Sequence, residues 1–237
     1  VRGRQAGERI SQSLATGTDS RQQKPMHRFD QLIEGYRRFR RGDWRTQHRR
    51  WEQLKAGQAP QVMVIACSDS RVDPTQIFDV GPGEIFMVRN VAALVPPFEL
   101  SPGQHGVSAA LEFAVQFLKV SEVVVMGHGM CGGCRAALTQ DLHGAPPGEG
   151  GFVASWIGML DAIRDPIART LGTHGDTAER AMEHAAVTLS LANLRTFPCV
   201  SEKEASGELT LRGCHFSIAD GRLYLLDEQS GKFSAIS

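Results

Sequence analysis

Two cysteines and a histidine are the residues best suited to chemistry. Cys67 closes the apolar run Val62-Met63-Val64-Ile65-Ala66, and His128-x-x-Cys131 follows a second run, Glu122-Val123-Val124-Val125-Met126. Two soft thiolates and an imidazole match the donor preference of zinc, and three protein ligands leave a fourth tetrahedral position open, as in catalytic rather than structural sites. Taken alone, His-x-x-Cys is a short pattern, and a buried cysteine at a strand end is commonly a packing residue. The stretch Ser68-Asp69-Ser70-Arg71 adds a carboxylate and a guanidinium beside Cys67. Such a pair serves either as a structural ion pair or as a partner for chemistry at the metal.

The remaining candidates are plainer. Cys134 makes a C-x-x-C with Cys131, but metal ligation of Cys131 removes the free thiol that a redox pair needs. Cys199 and Cys214 read as packing residues at a helix end and in a strand. His105, His143, His174, His184 and His215 are all candidates for a proton carrier, and spacing does not choose among them.

These side chains need a scaffold that brings separate strand ends together. Phe29, Leu32, Ile33, Tyr36 and Phe39 recur at helical spacing, with arginines on the other face, and a second helical pattern carries Trp44, Trp51 and Leu54. After the Gly57-Gln58-Ala59-Pro60 break come three short apolar strands, at Val62–Ala66, Ile85–Val88 and Glu122–Met126, with a helix from Val107 to Leu118 between the last two. From Ala136 the chain reads as helical. A Gly/Pro-rich loop over 141–151 follows, then helical stretches at Trp156–Arg164 and Ala178–Arg195. Strands return at Leu209–Phe216 and Leu223–Leu226, flanking the hairpin signal Asp220-Gly221. The expected fold is α/β, with a mostly parallel central sheet flanked by helices and an N-terminal helical arm. Ligands belong beyond the carboxyl ends of its strands, where Cys67 and His128 fall.

Composition narrows the setting. The chain has 237 residues, 41% of them hydrophobic, with 26 basic against 26 acidic residues, a balance that suggests neither nucleic acid nor an anionic membrane as partner. The first 60 residues hold 14 Lys/Arg against 6 Asp/Glu and the remainder 12 against 20, so a basic arm can lie against an acidic body. The aliphatic runs are too short to cross a bilayer, and five cysteines make no disulfide framework. A cytoplasmic location is expected, although the Arg-, Gln- and Ser-rich start also resembles an organelle-targeting segment. Residues 1–25 are expected to form a flexible tail, and 26–237 a single domain.

One resemblance is specific. Cys67-Ser68-Asp69-Ser70-Arg71-Val72-Asp73-Pro74, Gly83-Glu84, Val88-Arg89-Asn90-Val91-Ala92 and His128-Gly129-Met130-Cys131-Gly132-Gly133 resemble, in order and spacing, the beta-class carbonic anhydrases, in particular their plant-like branch. The similarity is close from Gln58 to Gly133 and looser from Met26 to the C-terminus. It implies a dimer as the basic unit, with the helical arm embracing a second subunit, and leaves open whether dimers pair into tetramers. It also implies one zinc ion per subunit on Cys67, His128 and Cys131, and a catalytic dyad of Asp69 and Arg71. The implied reaction is reversible hydration of carbon dioxide to bicarbonate and a proton by a zinc-bound hydroxide that the dyad orients.

The resemblance also implies a substrate pocket. Gln58 matches a glutamine that binds substrate oxygen, Gly132 a backbone N–H facing bicarbonate, and Phe86, Val91 and Phe113 the apolar walls for carbon dioxide. Phe113 departs from a common tyrosine and lacks its hydroxyl. Val64 stands where one self-inhibiting branch of the family carries tryptophan, so the form expected here is the open one, with Asp69 paired to Arg71. Two other readings remain: hydrolysis of carbonyl sulfide or carbon disulfide by the same centre, and a zinc-stabilised bicarbonate sensor without turnover.

Overall fold

The computed structural model of the chain describes residues 28–236, so the expected tail over 1–25 lies outside the described residues. The chain divides at Arg49/Arg50 into two compact units. In the first, α1 (Arg28–Arg41) is followed by the single turn α2 (Asp43–Thr46). Trp44 stacks edge-on against Phe39 at 6.4 Å, with the Arg40 guanidinium 5.0 Å from the Trp44 ring. The apolar face read from the sequence is present on α1, but Phe29, Leu32 and Tyr36 along it are exposed. The second helical pattern is broken at Gln47, and α3 (His48–Leu54) begins just beyond and runs across the unit boundary.

In the second unit, β1 (Val62–Cys67) is the strand from which the site is built. Met63 and Ile65 pack into one core layer with Leu111, Val115 and Leu194, and Val64 and Ala66 into the other with Met126, Leu138 and Met182. Because successive side chains point to opposite faces, a strand covered on both must be apolar throughout. Chain order continues with α4 (Pro74–Ile77), β2 (Ile85–Asn90), a 3₁₀ turn at Val91–Ala93, α5 (Gly106–Glu112) and β3 (Glu122–His128). Next come α6 (Gly132–Thr139), α7 (Gly151–Ile157), α8 (Asp161–Leu171), α9 (Asp176–Leu194) and α10 (Pro198–Ser206). The strands β4 (Thr210–Phe216), β5 (Leu223–Asp227) and β6 (Lys232–Ala235) close the chain.

The six strands form one sheet in the order β2-β1-β3-β4-β5-β6. The first four are parallel and the last two antiparallel, so the sheet is mixed with a parallel core. Register aligns the carboxyl ends: Cys67 pairs with Asn90, Ala66 with Met126, and His128 with Phe216.

Three local readings are refined. The helix expected over Val107–Leu118 is α-helical only to Glu112 and widens into a π-type stretch over Phe113–Leu118, ending at Lys119 in the left-handed region (φ 56°). The Asp220-Gly221 signal lies in a hairpin between β4 and β5, though not as a two-residue turn. Ser217 N–H donates to Arg222 O at 2.8 Å across the connection, and Gly221 takes φ 71°. An additional edge strand, β6, follows a turn at Gly231 (φ 68°), which sets Lys232-Phe233 opposite Asp227-Leu226.

Candidate metal centre

Two neighbouring parallel strands deliver the three candidate ligands. Cys67 is the last residue of β1, His128 the last of β3, and Cys131 the extended residue that starts α6. One ligand atom from each lies within 4.8 Å of the others, and all three residues are buried. His128 Nδ1 lies 2.9 Å from Gly129 O, which as a carbonyl can only accept, so the proton sits on Nδ1 and Nε2 keeps its lone pair. That Nε2 is buried and has no hydrogen-bond partner of normal geometry among the described residues. A buried acceptor left open beside two thiols is the arrangement a metal completes.

The electrostatics agree. The Cys67 thiol is pushed up to about 12, first by its hydrogen bond with Cys131 and then by burial. Cys131 is likewise pushed up to about 12, mainly by its contact with Cys134. For His128, burial pulls down, but the contact with Cys67 and the Gly129 carbonyl carry the net direction upward. Neighbouring buried thiols resist ionisation because no positive charge offsets a second thiolate, and a bound divalent cation supplies that charge. The S₂N donor set with short, buried approach suits zinc.

Beside this cluster, Asp69 and Arg71 form a bidentate pair. Arg71 Nε donates to Asp69 Oδ1 at 2.9 Å and Nη2 to Oδ2 at 2.7 Å, while the Arg71 backbone N–H donates to Oδ1 at 2.9 Å. The Arg71 guanidinium holds the Asp69 carboxyl well below the usual carboxylate range against the opposing effect of burial. Arg71 Nη2 also donates to Met130 O at 2.9 Å, which ties the pair to the turn carrying Cys131. Met130 occupies the left-handed region (φ 57°), a conformation that costs a non-glycine residue about 1–2 kcal/mol and must be held by its surroundings.

Other groups reach the centre from parts of the chain distant in sequence. Arg89, quoted above only as part of a motif, donates to Cys67 O at 2.8 Å, to Asp69 O at 2.7 Å and to Val72 O at 3.4 Å. Glu183 accepts from the Cys131 backbone N–H at 3.0 Å and lies 2.9 Å from His215 Nε2. Gly133 allows α6 to approach the end of β2, since a Cβ there would meet Val91 Cγ1 at 2.7 Å.

The expected pocket residues separate into two groups. Val91 follows directly on Asn90, the register partner of Cys67, and lines a cleft of about 680 Å³ with Phe152, Trp156 and Met159. Trp156 Nε1 donates to Val91 O at 2.8 Å. Gly132 opens α6, and a Cβ there would meet nothing within 4 Å. Phe86 instead pairs in register with Met63, four residues before the Cys67 level or about 13 Å along the sheet. It packs with Phe113 at 5.7 Å, and Phe113 stacks on Phe117, both of these exposed. Gln58 is exposed and lies four residues before the amino end of β1, a strand that spans about 17 Å to the end that carries Cys67. Among the histidines, His215 is committed to Glu183, and His184 stacks on Phe233 at 3.9 Å. Burial, then His215 and Arg180, push His184 down to about 4.

A family model described as carbonic anhydrase matches residues 62–223. A carbonic anhydrase from Pseudomonas aeruginosa is 36% identical over 208 residues, covering 87% of this chain and 91% of its own. The solved beta-carbonic anhydrase CcaA superposes with a TM-score of 0.80 at 30% identity, over 88% of this chain and 92% of that one. Tetrameric beta-carbonic anhydrases of the filamentous ascomycete Sordaria macrospora superpose with a TM-score of 0.72 at 29% identity, over 84% and 96%.

Proposed function

The chain belongs to the beta-class carbonic anhydrases, and from that premise we propose that Cys67, His128 and Cys131 hold one zinc ion per subunit while Asp69 and Arg71 act on the nucleophile in the reversible hydration of carbon dioxide. The observation that carries this reading is the bidentate Asp69–Arg71 pair, anchored on the same Met130-Cys131 turn that presents a ligand. Zinc, when bound, supplies the Lewis acidity that makes water a nucleophile near neutral pH.

The chain's own residues do the rest. Arg71 keeps Asp69 ionised, and a carboxylate engaged on both oxygens still has lone pairs to accept the O–H of an attacking water. Accepting that hydrogen bond fixes the water's orientation toward the substrate carbon. Val91 offers carbon dioxide an apolar surface at the sheet end, and Gly132, without a side chain, leaves its backbone N–H open to the bicarbonate oxygen.

Gln58, Phe86 and Phe113 fit this scheme through a second copy of the chain. Within one chain the length of β1 holds Gln58 away from Cys67, whereas in a homodimer the three can face the partner's centre. The exposed faces of Phe113, Phe117 and the α1 side chains Phe29, Leu32 and Tyr36 supply apolar surface for such pairing. A pair of dimers, as the tetrameric Sordaria relatives suggest, is the next level of assembly. Among the described residues no helix is long and apolar enough to cross a membrane. We place the enzyme in the cytoplasm, where its five free cysteines stay reduced, and take residues 26–237 as one functional domain.

Zinc content together with isotope exchange between carbon dioxide and water tests the reading. Wild type should bind one zinc per chain and catalyse exchange. Asp69→Ala should keep its zinc and lose activity by about 10²–10⁴-fold. A folded, zinc-replete wild type without exchange would overturn the proposal.

A further inference from the structure

The Met130–Cys131 peptide is gripped at both of its polar ends. Its carbonyl, Met130 O, accepts from Arg71 Nη2 at 2.9 Å, and its amide, Cys131 N–H, donates to Glu183 Oε1 at 3.0 Å. The second oxygen of that carboxylate, Oε2, lies 2.9 Å from His215 Nε2. Glu183 is 4% exposed and His215 2%. Glu183 comes from α9 and His215 from β4, so two elements remote in sequence converge on one peptide unit.

Burying a carboxylate is costly unless its lone pairs are satisfied, and here both oxygens are spent on this single task. A peptide that donates at one end and accepts at the other is polarised by both partners, so each hydrogen bond strengthens the other. The grip also falls where the backbone needs it, since Met130 is held in the left-handed region.

We propose that Glu183, oriented by His215, is a positioning residue that locks the Met130–Cys131 peptide, so that one rigid plane sets both the direction of the Cys131 side chain into the metal cluster and the place of Arg71 beside Asp69. The proposal rests on the reading of Cys67, His128 and Cys131 as metal ligands. Glu183 acts through the backbone of one ligand and, through the same peptide, on the dyad.

The test measures zinc affinity by competition with a chelating dye, and the visible spectrum of the cobalt-substituted protein, which reports thiolate ligation directly. Glu183→Ala should weaken zinc binding about 10–100-fold and shift the thiolate bands. Glu183→Gln, which keeps an acceptor for the Cys131 N–H, should recover most of that loss. His215→Phe, which keeps a ring but removes the donor, should weaken binding by less than Glu183→Ala. Glu183→Ala combined with Arg71→Ala should lose less than the product of the single losses, by at least ~3-fold, because both act on one peptide.

Unchanged affinity and spectrum in Glu183→Ala, with only a lowered melting temperature, would leave Glu183 a packing residue and overturn the proposal. If that variant does not fold, unchanged binding in His215→Phe overturns it equally. A wild type that binds neither ion overturns the ligand assignment itself. Wild-type binding with unaltered variants overturns this proposal alone.

Discussion

The two strand ends that build the centre are held in opposite ways. After β1, the loop from Cys67 to Val72 turns its carbonyls inward, and a cation holds them: Arg89 donates to three of them. After β3, the turn from His128 to Cys131 leads into the first N–H groups of α6, and an anion holds it: Glu183 accepts from the Cys131 amide. Each clamp carries the charge that its backbone groups require, since carbonyls need donors and the start of a helix needs acceptors. The surroundings differ too. The β1 loop carries the part-exposed Asp69 and the exposed Arg71 toward solvent, whereas Glu183 and His215 behind the β3 turn are buried. One end presents reacting groups; the other fixes a ligand in place.

The largest losses fall on the ligands. Cys67→Ala and Cys131→Ala each remove one thiolate from opposite sides of the centre. Both should lose zinc by more than the ~10–100-fold typical of outer partners, as read by metal content after dialysis. If only one of them loses metal, the two ends do not contribute equally.

Arg89→Ala comes next. It removes the guanidinium from the carbonyls of Cys67, Asp69 and Val72, leaving Asp69 O with the Val72 N–H at 3.2 Å, and should cost about 2–4 kcal/mol in urea denaturation. Arg89→Lys should recover only part of this, because an ammonium lacks the planar fork that reaches several carbonyls.

The smallest effect sharpens the electrostatic contrast. Arg71 depresses the folded-state pKa of Asp69, so the pair's contribution to stability is present above the ordinary aspartate value of about 4 and is lost as pH falls through the lower folded value. A comparison of wild type with Asp69→Asn by thermal melts at several pH values should show a gap that narrows only on that acid side. Because Arg71 is exposed, added salt should shrink the gap as well. A gap that widened on acidification would remove the ion pair from the account.

What was legible in the sequence follows the same division. The apolar run of β1 announces a strand covered on both faces, and it places Cys67 at a carboxyl end. The run before His128 does the same for β3. Asp69 and Arg71 lie two residues apart, so their pairing is a local matter. Arg89 could be quoted as part of a motif, but its hold on Cys67 O spans 22 residues and no spacing rule reveals it. Glu183 reaches Cys131 across 52 residues, inside a helix whose pattern shows only an amphipathic face, and His215 hides in a strand that reads as core. Their signal is an acid and a histidine at positions that periodicity assigns to the interior. Gln58, Phe86 and Phe113 were grouped with the centre by resemblance, whereas strand length and register set them apart within one chain.

The alternation of β1 governs which inherited changes this protein can absorb. An exchange of one apolar residue for another of similar volume at Met63 or Ile65 is a local adjustment. A single-codon insertion or deletion between Val62 and Cys67 is different in kind, because it turns every following side chain to the other face and empties both core layers at once. Length variation therefore belongs to the connections, such as the Gly- and Pro-rich stretch over 141–151, while the strand that ends in Cys67 behaves like a reading frame.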